Sequence, residues 1–181
     1  MAADGVPQIP WEKPSRWREA KWALDRLTLE HRRALENAYR RAADLRRRLH
    51  ELFPVMEALG RETCTCCALP CCRTARVWYD FRDLLLYRLT AVPLPPIQPA
   101  SSERSGCRFL TSRGCSVERA ARPWICTWYL CPRQKRALPD TGPRSRQAVL
   151  SAIEAIGRDR KRLEAEFLAA VTGAPQRFPS E

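Results

Sequence analysis

The chain has 181 residues, 45% of them apolar, and a formal net charge of +12, so a single domain with a sizeable core is expected over residues 1–181. No segment offers the roughly 18 uninterrupted apolar residues of a membrane span, and the N-terminus lacks the apolar run of a secretory signal. These absences predict a cytoplasmic protein without a membrane partner.

A long amphipathic helix is predicted over 15–60, after a flexible N-terminus at 1–14. Its apolar residues recur mostly at steps of three and four, the period of a helix that buries one side. Ser15 is expected to cap this helix, and Pro54 to break it. The apolar stripe consists of Trp17, Ala20, Leu24, Leu27, Ala34, Ala38, Ala42, Leu45, Leu49 and Leu52.

A second amphipathic helix is predicted over 143–173, where Gly173 is expected to stop it. The two stripes are expected to cover each other in an antiparallel hairpin. A coiled-coil dimer through the same stripes is less favoured, because alanine at several seam positions specifies a partner poorly. The predicted fold class is mainly α, with a long antiparallel helical hairpin flanking a small irregular cysteine-rich metal-binding region that contains a short β-hairpin.

Shorter elements are predicted between the two long helices. Residues 77–89 are expected to form a helix, followed by a proline-rich connection. Two short apolar pieces in 107–117, on either side of 112–114, predict a tight β-hairpin with a cysteine on each arm. Pro123 fits the first position of a short helix that carries Cys126 and ends at the next Cys-Pro pair.

Nine cysteines against two histidines make the cysteine pattern the main functional signal of the chain. Thiolates favour zinc, copper(I) or iron–sulfur clusters over magnesium or calcium, so metal binding is predicted over 64–131. A disulfide framework is disfavoured, because the expected compartment is reducing and nine is an odd number. The cysteines form two groups: Cys64, Cys66, Cys67, Cys71 and Cys72, then Cys107, Cys115, Cys126 and Cys131.

The spacing of the first group is C-x2-C-x3-C-C, from Cys64 through Cys67 to Cys71 and Cys72. A C-x2-C loop lets two thiolates reach one metal ion. Adjacent cysteines usually cannot both reach the same metal, so Cys71 and Cys72 indicate two centres, or one cysteine that faces a different cluster from its neighbours. With Cys66 set aside, the eight remaining cysteines equal the number that two four-thiolate sites need.

The elements C-x2-C-x3-C-C, C-x-F-L, G-C-S-V, R-P-x-x-C and a last cysteine, in this order, resemble the YkgJ-type family of zinc- or iron-chelating proteins, which includes flagellin lysine N-methylases. The resemblance covers about 64–131 and leaves Cys66 and both long helices outside the pattern. From the methylase members it implies an iron–sulfur protein that uses S-adenosylmethionine. It implies eight metal ligands: Cys64, Cys67, Cys71, Cys72, Cys107, Cys115, Cys126 and Cys131.

Other notable residues are expected to have structural roles. His31 and His50 are placed on the surface of the long helix. Asp80 and Asp83 lie one helical turn apart, and surface ion pairs with nearby arginines are favoured over a catalytic carboxylate pair. Three aromatic residues are expected to pack around Cys126 and exclude water from it: Trp124, Trp128 and Tyr129.

The positive charge comes from 28 arginines and four lysines, with dense runs at 40–41 and 46–48. Acidic residues interleave with these runs at Glu36, Asp44 and Glu51, so a solvated helix face is favoured over a phosphate-binding patch. No aromatic residues alternate with these arginines to stack bases. Nucleic-acid binding is therefore the less favoured use of this charge.

Three functions follow from these patterns. The favoured one is a cytoplasmic protein that holds one or more iron–sulfur clusters, 4Fe-4S favoured, through eight cysteines, for redox chemistry or S-adenosylmethionine-linked methyl transfer. The second is a module stabilised by Zn²⁺ that binds a protein partner. The third is an arginine-rich nucleic-acid-binding protein with structural zinc. Eight thiolates without histidine, including an adjacent pair, suit clusters better than standard zinc fingers.

Overall fold

The computed structural model describes residues 9–100, 106–112 and 114–173, and there the protein is mainly helical with one small antiparallel sheet. The helices are α1 Pro14–Glu30, α2 Glu36–Thr63, α3 Phe81–Leu89, α4 Ile125–Trp128, α5 Pro132–Ala137 and α6 Arg146–Thr172. The strands are β1 Leu110–Thr111 and β2 Gly114–Cys115, and 3-10 turns lie at Cys71–Arg73 and Arg119–Ala121. None of the helices over these residues combines the length and apolar content that a membrane crossing requires. Of the N-terminus predicted to be flexible at 1–14, residues 1–8 lie outside the described residues, but Ile9 is buried and the Pro10 carbonyl accepts from the Gln98 side chain at 3.0 Å. The N-cap of α1 is Lys13 and not Ser15, because Pro14 already occupies the first helical position.

The helix predicted over 15–60 is two helices, α1 and α2, separated by turns at 31–35. Both helices contact α3, but only α2 also lies along α6. Asp25 of α1 pairs with Arg88 of α3 at 2.6 Å. Shortly before the break, the Thr28 hydroxyl donates to the Asp25 carbonyl at 2.9 Å, a side-chain bond of the kind that bends helices.

Pro54 does not break α2, which continues to Thr63. Buried side chains extend the apolar stripe beyond it, at Met56 and Leu59. Pro54 itself is on the exposed side of the helix, where water can replace the hydrogen bond that proline removes. Core burial therefore outweighs the local preference of proline to end a helix.

The long helices α2 and α6 run antiparallel, as expected. Arg41 pairs with Glu166 at 2.5 Å, and seven residues later Arg48 pairs with Asp159, seven residues earlier in α6. The helix predicted over 143–173 is α6, whose first N–H groups are capped by the side chain of Ser145. Gly173 ends α6 in the left-handed conformation, at a φ of 67°.

The short helix α3 lies in the core, against α1, α2 and α6. Its three consecutive leucines, 84–86, are each at most 1% exposed. The helix predicted over 77–89 begins four residues later than expected, because Asp80 caps it. The Asp80 carboxylate accepts from the Asp83 N–H at 2.7 Å, and the Asp83 carboxylate accepts from the Asp80 N–H at 3.2 Å.

The predicted β-hairpin region contains the pair β1 and β2, with Leu110 opposite Cys115. Cys115 is on β2, as predicted. Cys107 was expected on the other arm, but it lies outside β1. It precedes β1 in a turn, where its carbonyl accepts from the Leu110 N–H at 3.2 Å. The strands have only two residues each, so the pairing ends before it reaches Cys107.

The helix predicted to begin at Pro123 is α4, which begins at Ile125 and forms a single turn. The following Cys-Pro pair starts a helix instead of only ending one. Cys131 is the N-cap of α5, and Pro132 occupies its first position, where a fixed φ and a missing N–H do no harm.

Candidate metal centre

Four cysteines from four separate segments lie near one another, and we call them the inner cysteines: Cys72, Cys107, Cys115 and Cys126. Burial, and then the nearby thiols of Cys107 and Cys115, raise the pKa of Cys126 to about 12. The pKa of Cys72 is raised by its hydrogen bond with Cys71, by burial and by two other inner thiols. Each inner thiol is thus within electrostatic reach of another, although the four are far apart in the sequence.

A backbone hydrogen bond joins the first inner cysteine to the second. The N–H of Cys107 donates to the carbonyl of Cys72 at 2.8 Å. Gly106 precedes it with a φ of 77°, and a Cβ atom at this glycine would lie 2.6 Å from the carbonyl oxygen of Arg73. The close approach of these two segments therefore requires a residue without a side chain at 106.

We expect Gly106→Ala to lower the free energy of unfolding by about 1–3 kcal/mol. The methyl group of alanine would collide with the backbone of Arg73, and the positive φ at this position is unfavourable for alanine. Gly157→Ala is the control. Gly157 lies inside α6 with no atom near its Cβ position, so alanine there should stabilise by about 0.5–1 kcal/mol. Urea unfolding measures both changes. An unchanged midpoint for Gly106→Ala would show that the contact between 72–73 and 106–107 is loose.

The other four predicted ligands are the outer cysteines: Cys64, Cys67, Cys71 and Cys131. Cys64 follows the end of α2, and Cys131 caps α5. Gln134 contacts both, since its side-chain amide donates to the Cys64 Sγ at 3.7 Å and its backbone N–H donates to the Cys131 Sγ at 3.5 Å. The N–H of Cys67 donates to the Cys64 carbonyl at 3.2 Å. Sequence reasoning missed Gln134, although glutamine three residues after an N-cap is a capping-box signal.

The adjacent cysteines Cys71 and Cys72 contact each other directly. Both lie in the 3-10 turn Cys71–Arg73, and their thiols share a hydrogen bond. This bond lowers the pKa of Cys71 to about 6 and raises the pKa of Cys72. Cys71, assigned to the outer cysteines, is therefore hydrogen-bonded to Cys72, one of the inner cysteines.

Cys66, the cysteine outside the predicted ligand set, is exposed. Its thiol donates to the carbonyl of Glu62 at 3.5 Å, and its sulfur accepts from the Arg133 guanidinium at 3.0 Å. These contacts place Cys66 between the end of α2 and the start of α5.

Two arginines that sequence reasoning did not single out lie beside the inner cysteines. The Arg119 guanidinium donates to the carbonyl of Cys126 at 3.0 Å, and the Arg122 Nε donates to the carbonyl of Val117 at 2.8 Å. Burial lowers the pKa of Arg119. Both arginines oppose the rise that burial causes in the pKa of Cys126. Their positive charge is suited to offset that of thiolates bound to a metal.

Asp83 is buried, and the expectation of a surface ion pair is wrong for it. Its side chain is 2% exposed and pairs at 2.9 Å with Arg160 of α6, which is equally buried. Arg160 also reaches Asp80 at 2.9 Å, and the Trp124 N–H donates to the Asp83 carboxylate at 3.0 Å. Burial raises the pKa of Asp83, and Arg160 opposes that rise. Asp83 thus ties α3 and α6 to the residue that precedes α4 and its Cys126.

The aromatic residues near Cys126 do not surround it as predicted. Trp124 is partly buried, but Trp128 and Tyr129 are 44% and 47% exposed. The rings of Trp128 and Tyr129 contact each other edge-on, with centroids 6.0 Å apart. The buried side chains of this segment are instead Thr127 of α4 and Leu130, which follows it.

The basic run at 46–48 is engaged within the chain. Arg46 donates to a carbonyl of the 119–121 turn at 2.6 Å, Arg47 pairs with two acidic residues of its own helix, and Arg48 pairs with Asp159 of α6. His50 is exposed on the same helix, as expected, while His31 is partly buried at the break before α2. The expected solvated helix face is therefore found for Arg47, whereas Arg46 and Arg48 are half-buried against the 119–121 turn and α6.

No protein-family model, no curated protein and no solved structure matches this chain. Within 9–100, 106–112 and 114–173, no three Cys, His, Asp or Glu side chains are arranged to hold a metal ion. All nine cysteines lie in these ranges and carry free thiols. The donor chemistry fits zinc or an iron–sulfur cluster, and binding either one would draw the thiols of a group closer together.

Proposed function

We propose that this protein binds metal through two sets of four thiolates, the inner cysteines and the outer cysteines. One observation carries the proposal: the four inner thiols come from segments spread over 72–126 and lie within electrostatic reach of one another. A four-thiolate site needs such a convergence of soft donors. The contacts of Gln134 with Cys64 and Cys131 support the second set.

Iron–sulfur clusters, with 4Fe-4S favoured, are the proposed occupants. Eight thiolates without histidine suit clusters, and the adjacent Cys71 and Cys72 belong to different sets in this assignment. Arg119 and Arg122 beside the inner set, and Gln134 beside the outer set, supply charges and N–H groups of the kind that tune a reduction potential. A bound cluster would supply one-electron transfer. We therefore propose a redox function, in the reducing cytoplasm where free thiols persist.

A module stabilised by Zn²⁺ that binds a protein partner is the second candidate. The short elements near the cysteines favour it, because β1, β2, α4 and α5 are each six residues or shorter, whereas the nine-residue α3 lies in the core. Such short elements hold together poorly without ligation, and a structural zinc site can supply that stability. In this reading the metal contributes to folding and not to electron transfer.

Metal and sulfide analysis of protein purified without oxygen, together with its visible absorption spectrum, tests the proposal. We expect iron and acid-labile sulfide in comparable amounts, and a broad visible absorption that bleaches on reduction. Colourless protein with stoichiometric zinc would favour the second candidate. Protein that is folded, free of metal and unable to take up iron or zinc would rule out both.

A further inference from the structure

The cysteine end of the molecule, which we define as 61–73 and 126–137, has a strong excess of surface positive charge. Glu62 is its single acidic residue. Its five cationic side chains are all exposed: Arg61, Arg73, Arg133, Lys135 and Arg136. Within the described parts of the chain, none of the five is in an ion pair with a carboxylate, whereas Arg47 of α2 has two such partners.

The two segments of the cysteine end form one surface. Arg133 contacts Cys66 at 3.0 Å, and Gln134 contacts Cys64 at 3.7 Å, so the start of α5 lies against the end of α2. Positive charge from both segments is therefore concentrated at one end of the molecule. A surface of this kind attracts an acidic partner over a distance of about one Debye length, roughly 8–10 Å at moderate salt.

Large apolar side chains are exposed at the same end. Trp128 and Tyr129 are 44% and 47% exposed, and Leu69 is 65% exposed. Tryptophan, tyrosine and arginine are the residues enriched at the energetic centres of protein interfaces. The combination of exposed aromatic rings with unpaired arginines is therefore typical of a protein-binding surface.

The outer cysteines open onto this end of the molecule. Cys64 and Cys71 are exposed, while the inner cysteines are partly buried. A metal centre held by the outer set would therefore lie close to the surface that carries the charge. Electron transfer between proteins requires such a short approach to a centre, and complementary charge speeds the encounter.

We infer that the cysteine end is the docking surface for an acidic partner protein that exchanges electrons with the outer metal centre. This inference rests on the redox function proposed above. In the step itself, one electron leaves a reduced one-electron carrier of the partner and enters the oxidised cluster, and no covalent bond forms or breaks. The partner's carboxylates face Arg133, Lys135 and Arg136, and an apolar contact covers Trp128.

A protein partner fits this surface better than a nucleic acid or a membrane does. Because the rings of Trp128 and Tyr129 contact each other edge-on, they do not form the open stacking platform that single-stranded bases use. The cationic helix α5 has six residues, which is too short for an amphipathic helix that lies in a bilayer surface.

Reduced flavodoxin, an acidic carrier, serves as the probe in stopped-flow reduction of the purified protein. We expect the second-order rate constant for reduction by flavodoxin to fall at least about tenfold between low and high salt, because salt screens the attraction between the two proteins. Arg133→Glu/Lys135→Glu/Arg136→Glu should lower the low-salt rate by at least about tenfold. The control is Arg18→Glu/Arg32→Glu/Arg33→Glu, which changes the net charge equally at exposed residues of α1 and the turn after it. Trp128→Ala should weaken binding without changing the salt dependence.

Calorimetric binding of oxidised flavodoxin to the same variants separates docking from the redox function. If flavodoxin binds the cysteine end but the protein has no reducible centre, the docking surface is supported and its role in electron transfer is ruled out. A rate independent of salt, equal losses in the two triple variants, or no binding of flavodoxin would overturn the inference. Tight binding of anionic vesicles or single-stranded RNA instead, lost in the Arg133 triple variant, would assign the surface to another class of partner.

Discussion

Replacing Arg160 by methionine should lower the free energy of unfolding at neutral pH by about 3–5 kcal/mol, because it leaves the buried carboxylate of Asp83 without its cation. Methionine retains the apolar stem, so the loss reports on charge more than on volume. The carboxylate of Asp80 lies nearby and would repel Asp83 once the guanidinium is gone.

The matched control is Arg88→Met, which removes an exposed ion pair with Asp25 whose side chains are 41% and 54% exposed. That change should have an effect of about 0–1 kcal/mol. Chemical denaturation of both variants measures the difference. A loss at Arg160 no greater than at Arg88 would mean that Asp83 is solvated in the folded protein.

The Arg160→Met variant should also respond to pH. Without the guanidinium, burial raises the pKa of Asp83 further, so the folded state takes up a proton that the unfolded state does not hold. A raised carboxyl pKa makes stability increase as pH falls from neutral toward the unfolded value. The difference in free energy of unfolding between Arg160→Met and the wild type should therefore become smaller in mild acid. Adding Asp83→Asn to Arg160→Met should make this difference smaller at neutral pH as well. The amide carries no charge, and its oxygen can still accept from the Trp124 N–H.

Cys126→Ser and Cys67→Ser should each lower the metal content by about half, while Cys66→Ser leaves it nearly unchanged. Cys126 belongs to the inner cysteines and Cys67 to the outer ones, so each change removes a ligand from one set. A serine hydroxyl stays protonated where a thiol would ionise, and the site loses a donor that no neighbour replaces.

The three variants are compared side by side, without oxygen, by metal analysis and visible spectroscopy. Cys66→Ser is the matched control, because its residue is exposed and contacts Arg133 outside both sets. Equal metal loss in all three would mean that Cys66 is a ligand and that the assignment of the first cysteine group is shifted. Loss of all metal in Cys126→Ser alone would mean that the two sets fill in order, with the inner cysteines first.

The long helices could be predicted because their signals are local. The stripe of α6 and the glycine that ends it are both visible in the sequence, and Gly173 has the left-handed conformation such a stop needs. The break at 31–35 could not be predicted, because the apolar spacing continues through it. What changes there is the set of packing partners, because α1 contacts α3 whereas α2 contacts α3 and also lies along α6, and that depends on tertiary contacts.

In the candidate site too, features with a local sequence signal could be predicted, whereas features that depend on tertiary contacts could not. Spacing singled out the cysteines and separated Cys66 from the rest, but it did not show how the two sequence groups combine. The approach of Cys107 to Cys72 depends on a backbone contact at Gly106. The buried role of Asp83 depends on Arg160, an arginine that no local pattern distinguishes from the other charged residues of α6.

The pairing of Asp83 with Arg160 also sets an order of events during synthesis. All nine cysteines leave the ribosome before residue 160 does, and until then the carboxylate that anchors the Trp124 N–H has no cation to accompany it into the core. We therefore expect the cysteine region of the growing chain to remain open to solvent and to metal donors until α6 is made. We expect burial of Asp83 to come only when α6 docks, so a helix made after all nine cysteines is the one that closes the region around Cys126.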